Sequence, residues 1–187
     1  PQTFDPITFK NGINLLLGEM TENNVKTNGV GKSMAVEFIN YGLLKRHEES
    51  RVSLIPREAF SYNTLICLDV EINGKPITIK RSIENHKCPI LIADGKAIPF
   101  SDIEDATNYL TTLLFGSPND ESIPSFRTMM GPLIRDERSE FKSIIKCFDT
   151  NRNIPPDYTP HLYLLNIDPK PYKQAKALFG EIDKIGK

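Results

Sequence analysis

No stretch of the 187 residues approaches the roughly 18 consecutive apolar residues that a membrane-crossing helix needs. The opening PQTFDPITF has no charged segment followed by an apolar core, so no secretory signal is visible. Charge of one sign is lacking too: 23 Lys and Arg face 24 Asp and Glu, a net charge of −1. No global basic field therefore draws the chain to nucleic acid or membrane, and any DNA contact needs a local patch or a partner chain. Cysteine is scarce, with Cys67, Cys88 and Cys147 odd in number and free of any C-x-x-C pair. That pattern reads as free thiols in a reducing cytoplasm. Internal repeats and low-complexity tracts are absent. What remains, 39% hydrophobic and 25% charged, is ordinary for a globular protein. The length suits one domain, or one domain with an appendage, and is enough to bury a real core.

Hydrophobic patterning predicts a mixed architecture. ITFKNGINLLL, residues 7–17, reads as two short strands around an Asn11-Gly12 turn, the second nearly all apolar and suited to burial on both faces. A polar loop runs from Gly18 to about Gly31. The helix after it carries Ala35, Phe38, Ile39 and Leu43 at helical spacing and is expected to stop near Gly42 to Lys45. NTLICLDVEI and KPITIKRSI predict strands joined by Asn73-Gly74, and CPILIADGKAIPF a third with its own turn at Asp94-Gly95. Cys67, alternating within the first of these, is expected in the core. Ser101 is expected to cap a helix with Glu104 at the capping-box position, burying Ile103, Ala106, Tyr109, Leu110 and Leu113 and ending before Gly116. FRTMMGPLIRDERSEFKSIIKCF is helical in character with a break predicted at Gly131-Pro132. An irregular connection, NRNIPPDYTP, precedes an amphipathic helix from Pro171.

One motif carries chemistry. Gly31-Lys32-Ser33 closes a loop as a phosphate-binding loop closes, but counting back five positions from Gly31 gives Lys26 where G-x-x-x-x-G-K-[ST] needs glycine. Gly18, directly after the apolar run Ile13 to Leu17, stands where the first glycine belongs. Excising the eight residues Met20 to Thr27 leaves Gly18-Glu19-Asn28-Gly29-Val30-Gly31-Lys32-Ser33, which fits every fixed position. Gly29 and Gly31 can adopt angles closed to other residues, turning successive N–H groups toward phosphate oxygens. The following helix adds the partial positive charge of its N-terminus. Lys32 reaches the β- and γ-phosphates and Ser33 offers a hydroxyl to Mg²⁺. The expected nucleotide-binding set is Gly18, Asn28, Gly29, Val30, Gly31, Lys32, Ser33 and Met34. The competing reading is an accidental N-G-x-G-K-S in a polar loop.

FKNGINLLLGE…NGVGKSMAVEFINYGLL resembles the start of an ABC-type ATPase head of the SMC family, including the bacterial SbcC-like repair ATPases. Those heads show a strand, a G-x-N-L-I-x-G phrase, N-G-x-G-K-S and a helix leading to G-L. Within the family it looks closest to bacterial coiled-coil ATPases whose phosphate loop carries an insert. The resemblance implies an α/β (α+β) fold. Residues 1–170 would form the N-terminal lobe, with a phosphate loop at 18–33, an antiparallel meander at about 60–100 and a helical part at about 101–150. Residues 171–187 would start a coiled coil, and the family's first strand would lie partly before Pro1. It further implies ATP and Mg²⁺ as ligands, with hydrolysis on engagement of the C-terminal lobe of the same protein and a second head. The implied setting is cytoplasmic, in DNA repair, DNA maintenance or defence against foreign DNA, with DNA and further system subunits as partners. The signature motif, the Walker B carboxylates and the switch histidine of such heads are not recognisable in this chain. Ile134-Arg135-Asp136 resembles the I-R-Q context of the Q-loop, which would place Asp136 as a catalytic residue beside Lys32 and as a metal ligand beside Ser33. A solvated charged helix is the rival reading of Asp136.

Two other readings stay open: a stand-alone small P-loop kinase, and a nucleotide-gated interaction module without catalysis. The meander speaks against the kinase, whose strands would continue in βαβ units. Arg127, Arg135, Arg138 and Lys142 could share one helix face toward phosphates or a partner lobe, but interleaved acidic residues make a solvated face the stronger reading. Lys45, Arg46, Arg51 and Arg57 form a second cluster diluted in the same way. His86-Lys87-Cys88 lacks the second ligand pair a zinc site requires.

Overall fold

A computed structural model describes residues 5–17, 31–116, 123–135, 143–147 and 155–185. Its centre is a four-stranded antiparallel meander, β1 (Leu65–Ile72), β2 (Lys75–Ser82), β3 (Ile90–Ala93) and β4 (Lys96–Pro99), in spatial order β1-β2-β3-β4. Two-residue turns make this order. Asn73 and Gly74 hold φ of 51° and 76°, and Asp94 and Gly95 hold 51° and 72°, the left-handed pair that matches the twist of flanking strands. The Asn73 amide also donates to the Leu113 and Leu114 carbonyls at 2.9 Å each, so the first turn fastens the end of a helix as well.

Helices cover one face of the sheet. α1 (Lys32–Gly42), α2 (Ile103–Phe115) and α3 (Phe126–Leu133) are joined by the shorter α4 (Thr159–Leu164), and α5 (Lys170–Ile185) follows. Side chains alternate along the pleat, so Ile77, Ile79 and Leu91 face inward. They meet Ala106 and Leu110 of α2, Phe126, Met129 and Met130 of α3, and Leu44 after α1, forming one core. The Thr111 hydroxyl accepts from the Phe126 N–H at 2.9 Å, pinning α3 to α2.

Several expectations are corrected. No strand forms between Ile7 and Leu17. Ile13 is 100% exposed and Leu17 72%; among the described residues the sheet is built from 65–99, and none of its strands pairs with this segment. The Asn11-Gly12 turn is closed instead by the Asn14 side chain, which accepts from the Lys10 N–H and donates to the Lys10 carbonyl. Cys67 is exposed, since alternation puts it with Asp69 and Glu71 on the outer face of β1. The cap of α2 is Asp102 rather than Ser101, its carboxylate accepting from the Glu104 N–H. α3 runs through Gly131-Pro132 and ends one residue later. α4, unforeseen, starts where Asp157 accepts from both the N–H and the hydroxyl of Thr159. Among the described residues no helix is long and apolar enough to cross a membrane.

Candidate functional site

The site begins at Gly31. Its φ of 85° and ψ of 6° are left-handed, and its carbonyl accepts from the Ala35 N–H at 3.0 Å to open α1. A β-carbon here would meet nothing within 4 Å, so the backbone angle rather than space demands glycine. Among the described residues no side chain caps this helix end, and no acidic residue occupies its first turn. The first amides and the dipole of a helix end of this kind can serve an anion. Lys32 and Ser33 are exposed at that end, and Met34 is half-buried behind them. Gly18, Asn28, Gly29, Val30 and Asp136 lie outside the described residues, so the structure speaks to Gly31, Lys32, Ser33 and Met34 alone.

The far half of α1 is fixed by buried polar groups. Glu37, 1% exposed, accepts from the Lys45 ammonium at 2.9 Å, the Ser50 hydroxyl at 2.9 Å and the Arg51 N–H at 2.8 Å. Arg81 of β2 is fully buried, its guanidinium 3.8 Å from the centre of the Tyr41 ring. It donates to the Tyr41 carbonyl at 2.8 Å, to the His86 carbonyl at 3.1 Å and to the Lys45 carbonyl. Burial pulls the Arg81 pKa down to about 10, while Tyr41 and Glu48 act the other way. The Tyr41 hydroxyl donates to the Ser82 carbonyl at 2.8 Å, and burial raises its pKa. Close approach completes the anchorage, because a β-carbon on Gly42 would lie 3.0 Å from the Leu68 side chain. One end of α1 is thus bolted to the sheet and the other presented to solvent.

The buried stripe of α1 and its extension is Glu37, Asn40, Tyr41 and Leu44, not the predicted Ala35, Phe38, Ile39 and Leu43, which are only half-buried. Glu37 and Tyr41, polar side chains with internal partners, took the inner face together with Asn40. The apolar stripe and the apolar run Ile13 to Leu17 are both left partly or fully uncovered.

The basic clusters dissolve into structural contacts. Lys45 pairs with Glu37 and Arg57 with Glu84. Arg127 donates to the Leu43 carbonyl at 3.2 Å and Arg135 to the Ser143 carbonyl at 2.6 Å, so these two do not share a solvated helix face. Arg138 and Lys142 lie outside the described residues. His86 stacks on His47, ring centres 4.2 Å apart, an arrangement no sequence spacing signalled.

α5 buries no residue. Its start is held where the Tyr172 ring meets Tyr158 edge-on at 5.5 Å and the Tyr172 hydroxyl donates to the Pro156 carbonyl at 3.3 Å. Beyond that, Ala175, Leu178, Ile182 and Ile185 form an exposed seam at alternating spacings of three and four, the period of a two-stranded coil.

No protein-family model matches the chain, and no solved structure matches it. It is similar to the uncharacterized protein YydD of Bacillus subtilis strain 168, 28% identical over 182 residues, covering 93% of this chain. The chain spans 30% of that relative's length.

Proposed function

We propose that this chain is the ATP-binding N-terminal lobe of a cytoplasmic SMC-like, ABC-type ATPase head. The carrying observation is the opening of α1. A left-handed Gly31 leads into a helix end with no side-chain cap among the described residues and with Lys32 and Ser33 exposed, following Asn28-Gly29-Val30 in sequence. That end offers backbone donors, a dipole and an ammonium to the phosphates, and a hydroxyl to Mg²⁺. The bonds of Glu37, Tyr41 and Arg81 hold the helix, so the cradle is presented on a rigid base.

Two features favour a split catalytic unit. The apolar run Ile13 to Leu17 and the outer stripe of α1 await a covering surface, which the C-terminal lobe would supply. The α5 seam has the spacing of a coiled-coil root. Hydrolysis is then in-line attack of water on the γ-phosphate, driven by positioning and charge neutralisation once a second head closes the site. Asp136 would join Ser33 at the metal. The purpose would be ATP-gated engagement on DNA, in repair, maintenance or defence, with further subunits. An antiparallel meander in place of parallel βαβ units does not favour a small kinase.

The test is ATP turnover by the full-length protein. Turnover is expected in the intact protein, and loss of at least about 100-fold in Lys32→Ala, the scale on which a charge-stabilising group acts. Equal turnover in both would overturn the reading.

A further inference from the structure

Four side chains close a ring of contacts around the far end of α1. The Arg81 guanidinium lies 3.8 Å from the centre of the Tyr41 ring. Tyr41 meets the His47 ring edge-on, centres 6.1 Å apart. His47 stacks on His86, centres 4.2 Å apart and planes 16° from parallel. The His86 carbonyl accepts from Arg81 Nε at 3.1 Å and returns the ring to its start. Each member comes from a different part of the fold: Arg81 from β2, Tyr41 from α1, His47 from the short turn His47–Glu49, and His86 from the loop joining β2 to β3. Imidazole is the member of this set whose charge ordinarily changes between pH 5 and 8.

The stack suits neutral rings. His47 Nδ1 and His86 Nε2 are buried without a hydrogen-bond partner among the described residues. An imidazolium carries N–H on both nitrogens, so charging His47 sets a cationic N–H at Nδ1 with no acceptor there. The groups around it add to this. Arg81 faces it from β2 and His86 from the loop, and both oppose a positive charge on His47. Tyr41 of α1, its pKa raised by burial, stays neutral. The turn at 51–54, packed against this one, carries Arg51. On its own turn Glu48 favours the charge, but Glu48 is 68% exposed and is shared with His86, whose Nε2 lies 3.6 Å from it, and with Lys87. Arg46 and Glu49 flank the turn with opposite signs. With His86 charged beside Glu48, a second proton on His47 would set two cations face to face.

Parting the rings gives His47 to water, where its pKa returns to the ordinary 6.5. The parted form then binds a proton more readily than the stacked form, so a falling pH favours parting. The amides that report it are close by. Glu49 and Ser50 donate to the Arg46 and His47 carbonyls at 3.1 Å each, and Cys88 to the Asn85 carbonyl at 3.2 Å.

We propose that the His47–His86 stack is an acid-sensitive clasp: a proton on His47 parts the rings and frees the turn His47–Glu49 from the β2–β3 loop, loosening the anchored end of α1 while the sheet stays folded. The clasp does not depend on the phosphate-cradle reading. Its test is amide hydrogen exchange of the full-length protein, read by mass spectrometry at about pH 7.5 and about pH 5.5, each rate divided by the intrinsic rate at that pH. Peptides covering residues 45–54 and 83–89 should lose protection several-fold at the lower pH. The ceiling is about tenfold, because an open imidazole of ordinary pKa takes up protons by about that factor one unit below it. Peptides within residues 65–80 should keep their protection. His47→Phe keeps a ring in the stack without a site for the proton, and His47→Gln removes both; in each the protection of 45–54 and 83–89 should not change with pH. The proposal is overturned by unchanged protection of these segments in wild type, by an equal pH-dependent loss in both variants, or by an equal loss in residues 65–80, which would mark global unfolding.

Discussion

Replacing Glu37 by alanine should be among the most damaging single changes in this chain. The carboxylate is 1% exposed and the Lys45 side chain it faces 10%, so the pair is buried rather than a surface contact. Its second oxygen accepts from the Ser50 hydroxyl and the Arg51 N–H. Removing one member of a buried pair costs about 3–5 kcal/mol. Against a total stability of about 5–15 kcal/mol for a natural domain, that is a large fraction. At roughly 2–4 °C per kcal/mol for a chain of this size, the melting temperature should fall by about 6–20 °C. Equilibrium urea unfolding followed by circular dichroism measures it, with the midpoint moving and the slope unchanged. Replacing both members, Glu37→Leu with Lys45→Met, should recover most of the loss, since an apolar pair of similar volume often substitutes without penalty. A Glu37→Ala loss below about 1 kcal/mol, the scale of an exposed pair, would refute the view that this carboxylate anchors α1.

Gly31→Ala should cost about 1–2 kcal/mol through its left-handed φ of 85°, and should weaken Mg-ATP binding in calorimetry; unchanged stability would mean that the loop relaxes freely. The His47 pKa is lowered from 6.5 by burial first, then by His86 and Arg81, with Glu48 opposing. Above pH 6.5 the ring is neutral in both states and its contribution is complete. As pH falls through that value the unfolded chain takes the proton first, and stability drops until the folded pKa is reached. Thermal melts between about pH 7.5 and pH 5 should therefore show a steeper loss in wild type than in His47→Gln; parallel curves would contradict the burial of this ring.

Local chemistry made much of the fold legible. Asn73-Gly74 and Asp94-Gly95 announced both turns of the meander, because left-handed angles at two successive positions admit few residue types. Gly116 marked the end of α2 for the same reason. The face of α1 was misread because the buried Glu37 and Tyr41 find partners in Lys45, Ser50 and Ser82, residues distant in sequence or beyond the helix. Apolar periodicity says nothing of such partners. Ile13 to Leu17 had the composition of a buried strand, but composition does not supply a neighbour to pair with. At the candidate site, the start of α1 at Gly31-Lys32-Ser33 was readable from spacing alone. The Glu37 and Arg81 bonds that hold it were not, since each joins elements that only the fold brings together.

Calorimetric titration of Mg-ATP into this chain, beside Lys32→Ala, tests the phosphate cradle most directly. Saturable heat is expected in the wild type and its loss in the variant, with the circular dichroism of the two unchanged because Lys32 is exposed. Equal heats in both proteins, or none in either, would contradict it.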